Sequence, residues 1–166
     1  VVSYPNRGAF VRQLTPRDIR EIYSLRAVLE RFAVELAVKE LKEADFERLE
    51  QLVAEMIAHA KASDTEAFVE SDYAFHDFIC QKSGHALLYK TWKGISPWNW
   101  TFVTALWDSR PTVELAERHV AVVEALKSLD PKVAGEAMYR HILDLVDDVA
   151  HALEAQLAAG QRRSGA

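Results

Sequence analysis

Thr15-Pro16-Arg17-Asp18-Ile19-Arg20-Glu21-Ile22-Tyr23-Ser24-Leu25-Arg26-Ala27-Val28-Leu29-Glu30-Arg31-Phe32-Ala33-Val34-Glu35-Leu36-Ala37 is the stretch on which the fold turns. Thr15 is a good N-cap, Pro16 suits the first helical position, and Asp18 suits the positive end of the helix dipole. Beyond them Ile19, Ile22, Leu25, Leu29, Phe32, Ala33, Leu36 and Ala37 recur every three or four residues, the apolar stripe of an amphipathic helix. The same reading continues downstream. A second helix is predicted over residues 44–61, carrying Phe46, Leu49, Leu52, Val53, Met56 and Ile57. Ser63-Asp64-Thr65-Glu66 reads as a capping box opening a third helix, which Ser83-Gly84 stops after Lys82. A fourth helix, 86–108, is expected to bend near Gly94-Ile95-Ser96-Pro97 and carries Trp92, Trp98, Trp100 and Trp107. A fifth helix covers 112–129. Asp130-Pro131 restarts the chain into a sixth, 131–158, which gives way to a polar tail from Gly160. About six helices with short connections predict an all-α antiparallel bundle.

Residues 1–13 read differently. Gly8-Ala9-Phe10-Val11 is a short strand-like run after a turn region of Pro5, Asn6 and Gly8. A lone strand needs a partner, expected upstream of residue 1. The chain does not begin with Met, which points to a longer protein. The domain reading is therefore a linker segment at 1–13, a helical bundle at 14–160 and a flexible tail at 161–166.

Composition narrows the class. The 166 residues are 49% hydrophobic and 27% charged, ordinary for a globular domain and neither disordered nor membrane-like. The formal net charge of −5 argues against a DNA-binding surface on this chain itself, since such surfaces are usually basic. Cys80 is the single cysteine, so no intrachain disulfide forms, in keeping with a reducing cytoplasm. No apolar run is long enough for a transmembrane helix, and the first residues lack the apolar core of a signal peptide.

The informative residues are polar ones on apolar stripes. At about 100° per residue, Arg26 sits about 40° from Ile22 and within about 60° of Leu29 and Ala33. Asp72 lies about 40° from Phe68, and His76 follows one turn later on the same face. His119 falls between Leu115, Val123 and Leu126, and His141 between Ala134, Ala137, Met138 and Leu145. Four helices thus point charged or polar groups inward, and buried charges need partners. One joint solution is that they meet: a carboxylate with three imidazoles makes a first-row metal site. The plain alternative is a set of hydrogen-bonded core histidines, with an i, i+4 Asp–His contact and Arg26 paired to Asp72 or Glu30. His59 and His151 fall at stripe edges and are expected in solvent. His85 follows a helix-ending glycine, where a cap or loop role is the default. The tryptophans suit a core or dimer interface better than a cofactor box.

Four stretches resemble the FCD-type effector domain (the FadR C-terminal domain class) of GntR-family transcription regulators. Arg7-Gly8-Ala9-Phe10-Val11 is similar to the last wing strand of that family's winged-helix domain, and Asp18 through Glu30 to the first effector-domain helix. Asp72-Tyr73-Ala74-Phe75-His76 is similar to the Asp-x-x-x-His signature. Glu117-Arg118-His119 and Tyr139-Arg140-His141-Ile142 match its two later histidines, 22 residues apart. The resemblance implies a bundle that binds a divalent metal through Asp72, His76, His119 and His141, with zinc first and nickel or manganese as alternatives. It implies a homodimer that senses a small carboxylate and acts on DNA through an upstream winged-helix domain. Arg26 is implied as the group that meets the effector carboxylate, facing the metal's open side, with His85 on the effector-binding wall where the family has Asn. Two competing functions remain: a metal-dependent hydrolase, with Glu30 or Asp148 as base, and a purely structural bundle stapled by its metal.

Overall fold

The computed structural model describes residues 2–4, 8–10 and 14–164, with side chains for 14–97 and 99–159. Two short strands, β1 (Val2–Tyr4) and β2 (Gly8–Phe10), pair antiparallel with Val2 opposite Phe10 and Tyr4 opposite Gly8. The strand at Gly8 therefore has a partner inside the chain, where one was expected upstream of residue 1.

Eight helices follow among the described residues: α1 (Pro16–Ala37), α2 (Glu43–Lys61), α3 (Thr65–Lys82), α4 (Ala86–Gly94), α5 (Pro97–Trp107), α6 (Thr112–Lys127), α7 (Pro131–Leu143) and α8 (Val146–Ser164). The all-α bundle stands as expected, with two of the six expected helices each divided. The fourth breaks because Ser96 takes a left-handed conformation, φ 55°, ahead of Pro97. A β-branched or bulky residue resists that conformation, whereas a small hydroxyl residue tolerates it at modest cost. The sixth breaks at Asp144-Leu145, and its second half runs through Gly160 to Ser164.

Thr15 caps α1 through a reciprocal box: its hydroxyl accepts from the Asp18 amide at 3.2 Å, and the Asp18 carboxylate accepts from the Thr15 amide at 2.9 Å. The cap of α3 lies one residue later than the sequence suggested. Ser63 is left-handed at φ 57°, and the Asp64 carboxylate accepts from the Ala67 amide at 3.1 Å. His59 is half-buried and not solvated, with Nδ1 2.9 Å from Ser71 Oγ, and so ties α2 to α3.

α1 lies at the centre, packed against α7, α8, α3 and α4. Its closest approach is to α7, where a Cβ built on Gly135 would come within 2.8 Å of Glu35 Cγ and Oε1. α2 packs between α3 and α6, and α5 rests on α3 and α8. Ile19, Tyr23, Leu49, Met56, Phe68, Phe75, Leu126, Met138 and Ile142 are buried in one continuous core. Each such side chain contributes roughly 1.5–3 kcal/mol by leaving water. Nothing in that core repels charge better than a hydrocarbon wall, which is what makes its polar inclusions conspicuous.

Candidate metal centre and its surroundings

Asp72, His76, His119 and His141 are all buried, on α3, α6 and α7. The structure brings the three histidines together: one ring nitrogen from each lies within 4.8 Å of the others. His119 Nε2 stands 3.4 Å from His76 Nε2 and 3.2 Å from Asp72 Oδ2, while His76 Nε2 is 3.9 Å from Asp72 Oδ1. The ring centroids of His119 and His141 are 4.3 Å apart. Phe75 meets His76 and His119 edge-on at 5.4 and 5.0 Å and walls the cluster from the core.

The backbone of α6 selects the tautomer of His119. Its Nδ1 lies 3.2 Å from the carbonyls of both Leu115 and Ala116. Carbonyls only accept, so Nδ1 carries a proton, and Nε2 faces Asp72 and His76. Burial first, then the neighbouring His119 and His76, push His141 well below the ordinary histidine range, so it is neutral. Its Nδ1 is buried without a hydrogen-bond partner. Burial pushes the Asp72 carboxyl up, but His119 and the charges of His76 and Arg26 outweigh it and hold it below the usual carboxylate range. An anionic carboxylate beside three buried imidazoles whose nitrogens converge is the donor set of a first-row divalent ion, and these residues fit one.

Around the donors sits a cavity of about 20 Å³ lined by Tyr23, Arg26, Asp72, His76, Thr101 and His119 among others. That is room for one water-sized group. Two of its hydroxyl residues, Thr101 and Thr104 of α5, were not singled out by sequence. Thr101 Oγ1 donates to Asp72 Oδ1 at 2.8 Å. Tyr23 donates to the Trp100 carbonyl at 2.9 Å and shares a 2.5 Å contact with Thr104 Oγ1. Burial pushes the Tyr23 phenol up to about 12, so it stays a donor. The α5 sequence scatters Asn99, Thr101 and Thr104 among bulky apolar residues and has no regular stripe against which a polar residue could stand out.

Arg26 is buried and lines this cavity, but it is not unpaired. Its Nε donates to Glu30 Oε1 at 2.6 Å, one turn along α1. Glu30 is 1% exposed and also accepts from Trp92 Nε1 at 2.8 Å. Its Oε2 lies 2.5 Å from His76 Nδ1. Burial pushes Glu30 up, yet the charges of Arg26 and His76 bring it down to about 2. Of the two carboxylates offered as partners for Arg26, Glu30 is the one its Nε reaches, and a guanidinium cannot sit in hydrocarbon alone.

His85 is not brought to the cavity. It is exposed at the N-cap of α4, where Nδ1 accepts from the Leu88 amide at 3.1 Å, and its ring meets Phe32 edge-on at 5.7 Å. Its position just past Gly84 commits it to capping. Trp92 is fully buried, and Trp100 and Trp107 are half-buried against the core. His151 is exposed, as expected. No helix among the described residues is long and apolar enough to cross a membrane.

Comparison with known proteins places this geometry in context. The FCD domain family matches residues 21–144. The chain is 24% identical over 155 residues to the gluconate operon transcriptional repressor of Bacillus subtilis, covering 90% of this chain and 64% of that protein. It is 24% identical over 157 residues to the transcriptional repressor NanR of Cronobacter sakazakii, covering 85% of this chain and 58% of that one. The chain thus spans less than two thirds of the length of these curated relatives. Among solved structures, Escherichia coli McbR/YncC superposes with a TM-score of 0.73 at 20% identity, over 93% of this chain and 73% of that one. The metal-free FCD domain of TM0439 superposes at 0.70 and 21% identity, over 87% of this chain and 99% of that one.

Proposed function

Because the chain belongs to the FCD domain family, we propose that it is the sensing half of a DNA-binding transcription regulator, in which a divalent metal held by Asp72, His76, His119 and His141 receives a small organic acid. The observation that carries the reading is the convergence of three buried imidazole nitrogens within 4.8 Å, beside an ionised Asp72. Zinc suits a buried site of nitrogen donors and one carboxylate best, with nickel and manganese next. A bound metal supplies a Lewis acid for one carboxylate oxygen. Arg26, with Nε taken by Glu30, keeps its Nη groups as donors for the other oxygen.

The hydrolase alternative loses its base. Glu30 is engaged by Arg26, Trp92 and His76, and Asp148 pairs with Arg110 at 2.7 Å on the surface. The curated relatives are repressors, and the chain is regulatory and not enzymatic. DNA contact belongs to a winged-helix domain upstream of residue 1, with the β1–β2 hairpin as the remnant of its wing. A second copy is expected on the exposed apolar face of α1 and α4, made by Leu25, Val28, Phe32 and Leu87.

Elemental analysis of the purified chain tests the centre. One equivalent of metal is expected, and its loss in Asp72→Ala and His141→Ala. Metal content unchanged by both substitutions sinks the assignment. A thermal-shift screen of organic acids on the loaded protein then tests sensing, and light scattering at tens of micromolar tests the dimer, for which a strictly monomeric species is the adverse result.

A further inference from the structure

Glu30 is a carboxylate with no solvent and three neighbours. It sits on α1 at 1% exposure, and its two oxygens are not equivalent. Oε1 accepts from Arg26 Nε at 2.6 Å and from Trp92 Nε1 at 2.8 Å. Oε2 faces His76 Nδ1 at 2.5 Å. The contact is an ion-pair distance and not an aligned hydrogen bond, and among the described residues neither Oε2 nor His76 Nδ1 has a hydrogen-bond partner. A carboxylate oxygen only accepts, so the group opposite it must bring the proton.

We propose that Glu30 is a positioning residue for the metal centre: it holds the His76 proton on Nδ1, leaves the Nε2 lone pair for the ion, and ties that ligand to α1 and α4. The proposal rests on the metal reading above and adds a residue to it from outside the ligand set. Carboxylate partners of ligating imidazoles act in this way in general, by fixing tautomer and ring orientation. Here the geometry also makes the carboxylate a junction. The guanidinium comes from the same helix one turn back, and the indole comes from α4, so His76 on α3 is linked through one side chain to two other helices. His119 has its proton placed by backbone carbonyls of its own helix. His76 depends on a side chain from elsewhere and is the ligand that a movement of α1 would disturb.

Glu30→Gln separates the two oxygens. The position of Oε1 faces two donors, so the amide carbonyl must take it and the NH₂ must take the place of Oε2. A donor then faces His76 Nδ1, and the ring proton moves to Nε2, where it blocks the metal. Arg26 and Trp92 keep their acceptor, so the variant is expected to fold. Nitrogen NMR of the imidazoles in the metal-free wild type at pH 8 should show His76 protonated on Nδ1 alone. In Glu30→Gln the proton should sit on Nε2, and zinc affinity from chelator competition should fall 10–100-fold. A metal-free wild-type His76 carrying a proton on Nε2 overturns the proposal, as does a Glu30→Gln protein with unchanged tautomer and zinc affinity. If the variant does not fold, the wild-type spectrum alone decides. Failure of the metal reading looks different: the wild type takes up no zinc, while the tautomer still responds to Glu30→Gln.

Discussion

At the scale of single residues, Arg26 has two partners of different kinds: a permanent one in Glu30 and a prospective one in the cavity. Replacing it with Met removes the cation from a buried, fully desolvated pair and strands the Glu30 carboxylate. Breaking one side of such a pair costs about 3–5 kcal/mol. Urea denaturation of Arg26→Met should show a loss of that size. Arg26→Met combined with Glu30→Met should recover much of it, because the uncompensated charge is gone and the two sites are coupled. Equal losses in the single and double variants would mean that the 2.6 Å pair is not what stabilises α1 there. The pair was one of two readings that helical phase allowed for Arg26. Phase puts a side chain on the buried arc and says nothing about which of two carboxylates, Glu30 or Asp72, it will reach. Asp72, His76, His119 and His141 were legible as inward-facing because each interrupts a regular stripe. Thr101 and Tyr23 were not: a threonine in an apolar helix and a tyrosine in a stripe break no pattern.

At the scale of elements, the contact of α1 with α7 turns on Gly135, whose missing Cβ makes room for Glu35. Gly135→Ala gains helix propensity worth about 1 kcal/mol, but it drives a methyl group into Glu35 Cγ, and overpacking of this kind costs about 1–3 kcal/mol. Thermal unfolding should therefore find Gly135→Ala neutral to destabilising in the wild type. It should be stabilising in a Glu35→Ala background, where the obstruction is absent. Destabilisation of the same size in both backgrounds would place the strain elsewhere. The helix boundaries show the same division between local and tertiary causes. The start of α1 was readable because Thr15, Pro16 and Asp18 act locally. The interruption near Ser96-Pro97 was readable too, from its own Gly, Ser and Pro, although as a bend and not a full break. The break at Asp144-Leu145 was not, because it serves tertiary packing: both halves lie on α1, but α7 also packs on α6 and α8 on α5. His85 stands at the N-cap of α4, the role its neighbours in sequence gave as the default. A capping role was available from Gly84 alone, and the effector role came only through the resemblance.

At the scale of the whole molecule, every ligand of the candidate centre comes from α3, α6 or α7, while α5 closes the cavity with hydroxyls only. The far end of α5 is anchored: Asp108 accepts from Arg110 Nε at 2.7 Å, and Arg110 Nη2 reaches Asp148 of α8 at 2.7 Å. The near end begins at Ser96 in its left-handed conformation, φ 55°. The space lined by these residues is about 20 Å³, room for a water-sized group. The consequence is kinetic. If the proposed acid binds here, its entry would wait on movement of the helix. The observed binding rate should rise with acid concentration and then level off at the opening rate, which collective motions of this kind set on microseconds to milliseconds. Stopped-flow tryptophan fluorescence would read that plateau, and a rate rising linearly to the highest concentrations would contradict it. Apparent affinity would carry the closed fraction as a constant handicap, so a substitution such as Thr101→Val, which removes the hydrogen bond holding α5 to Asp72, would speed arrival.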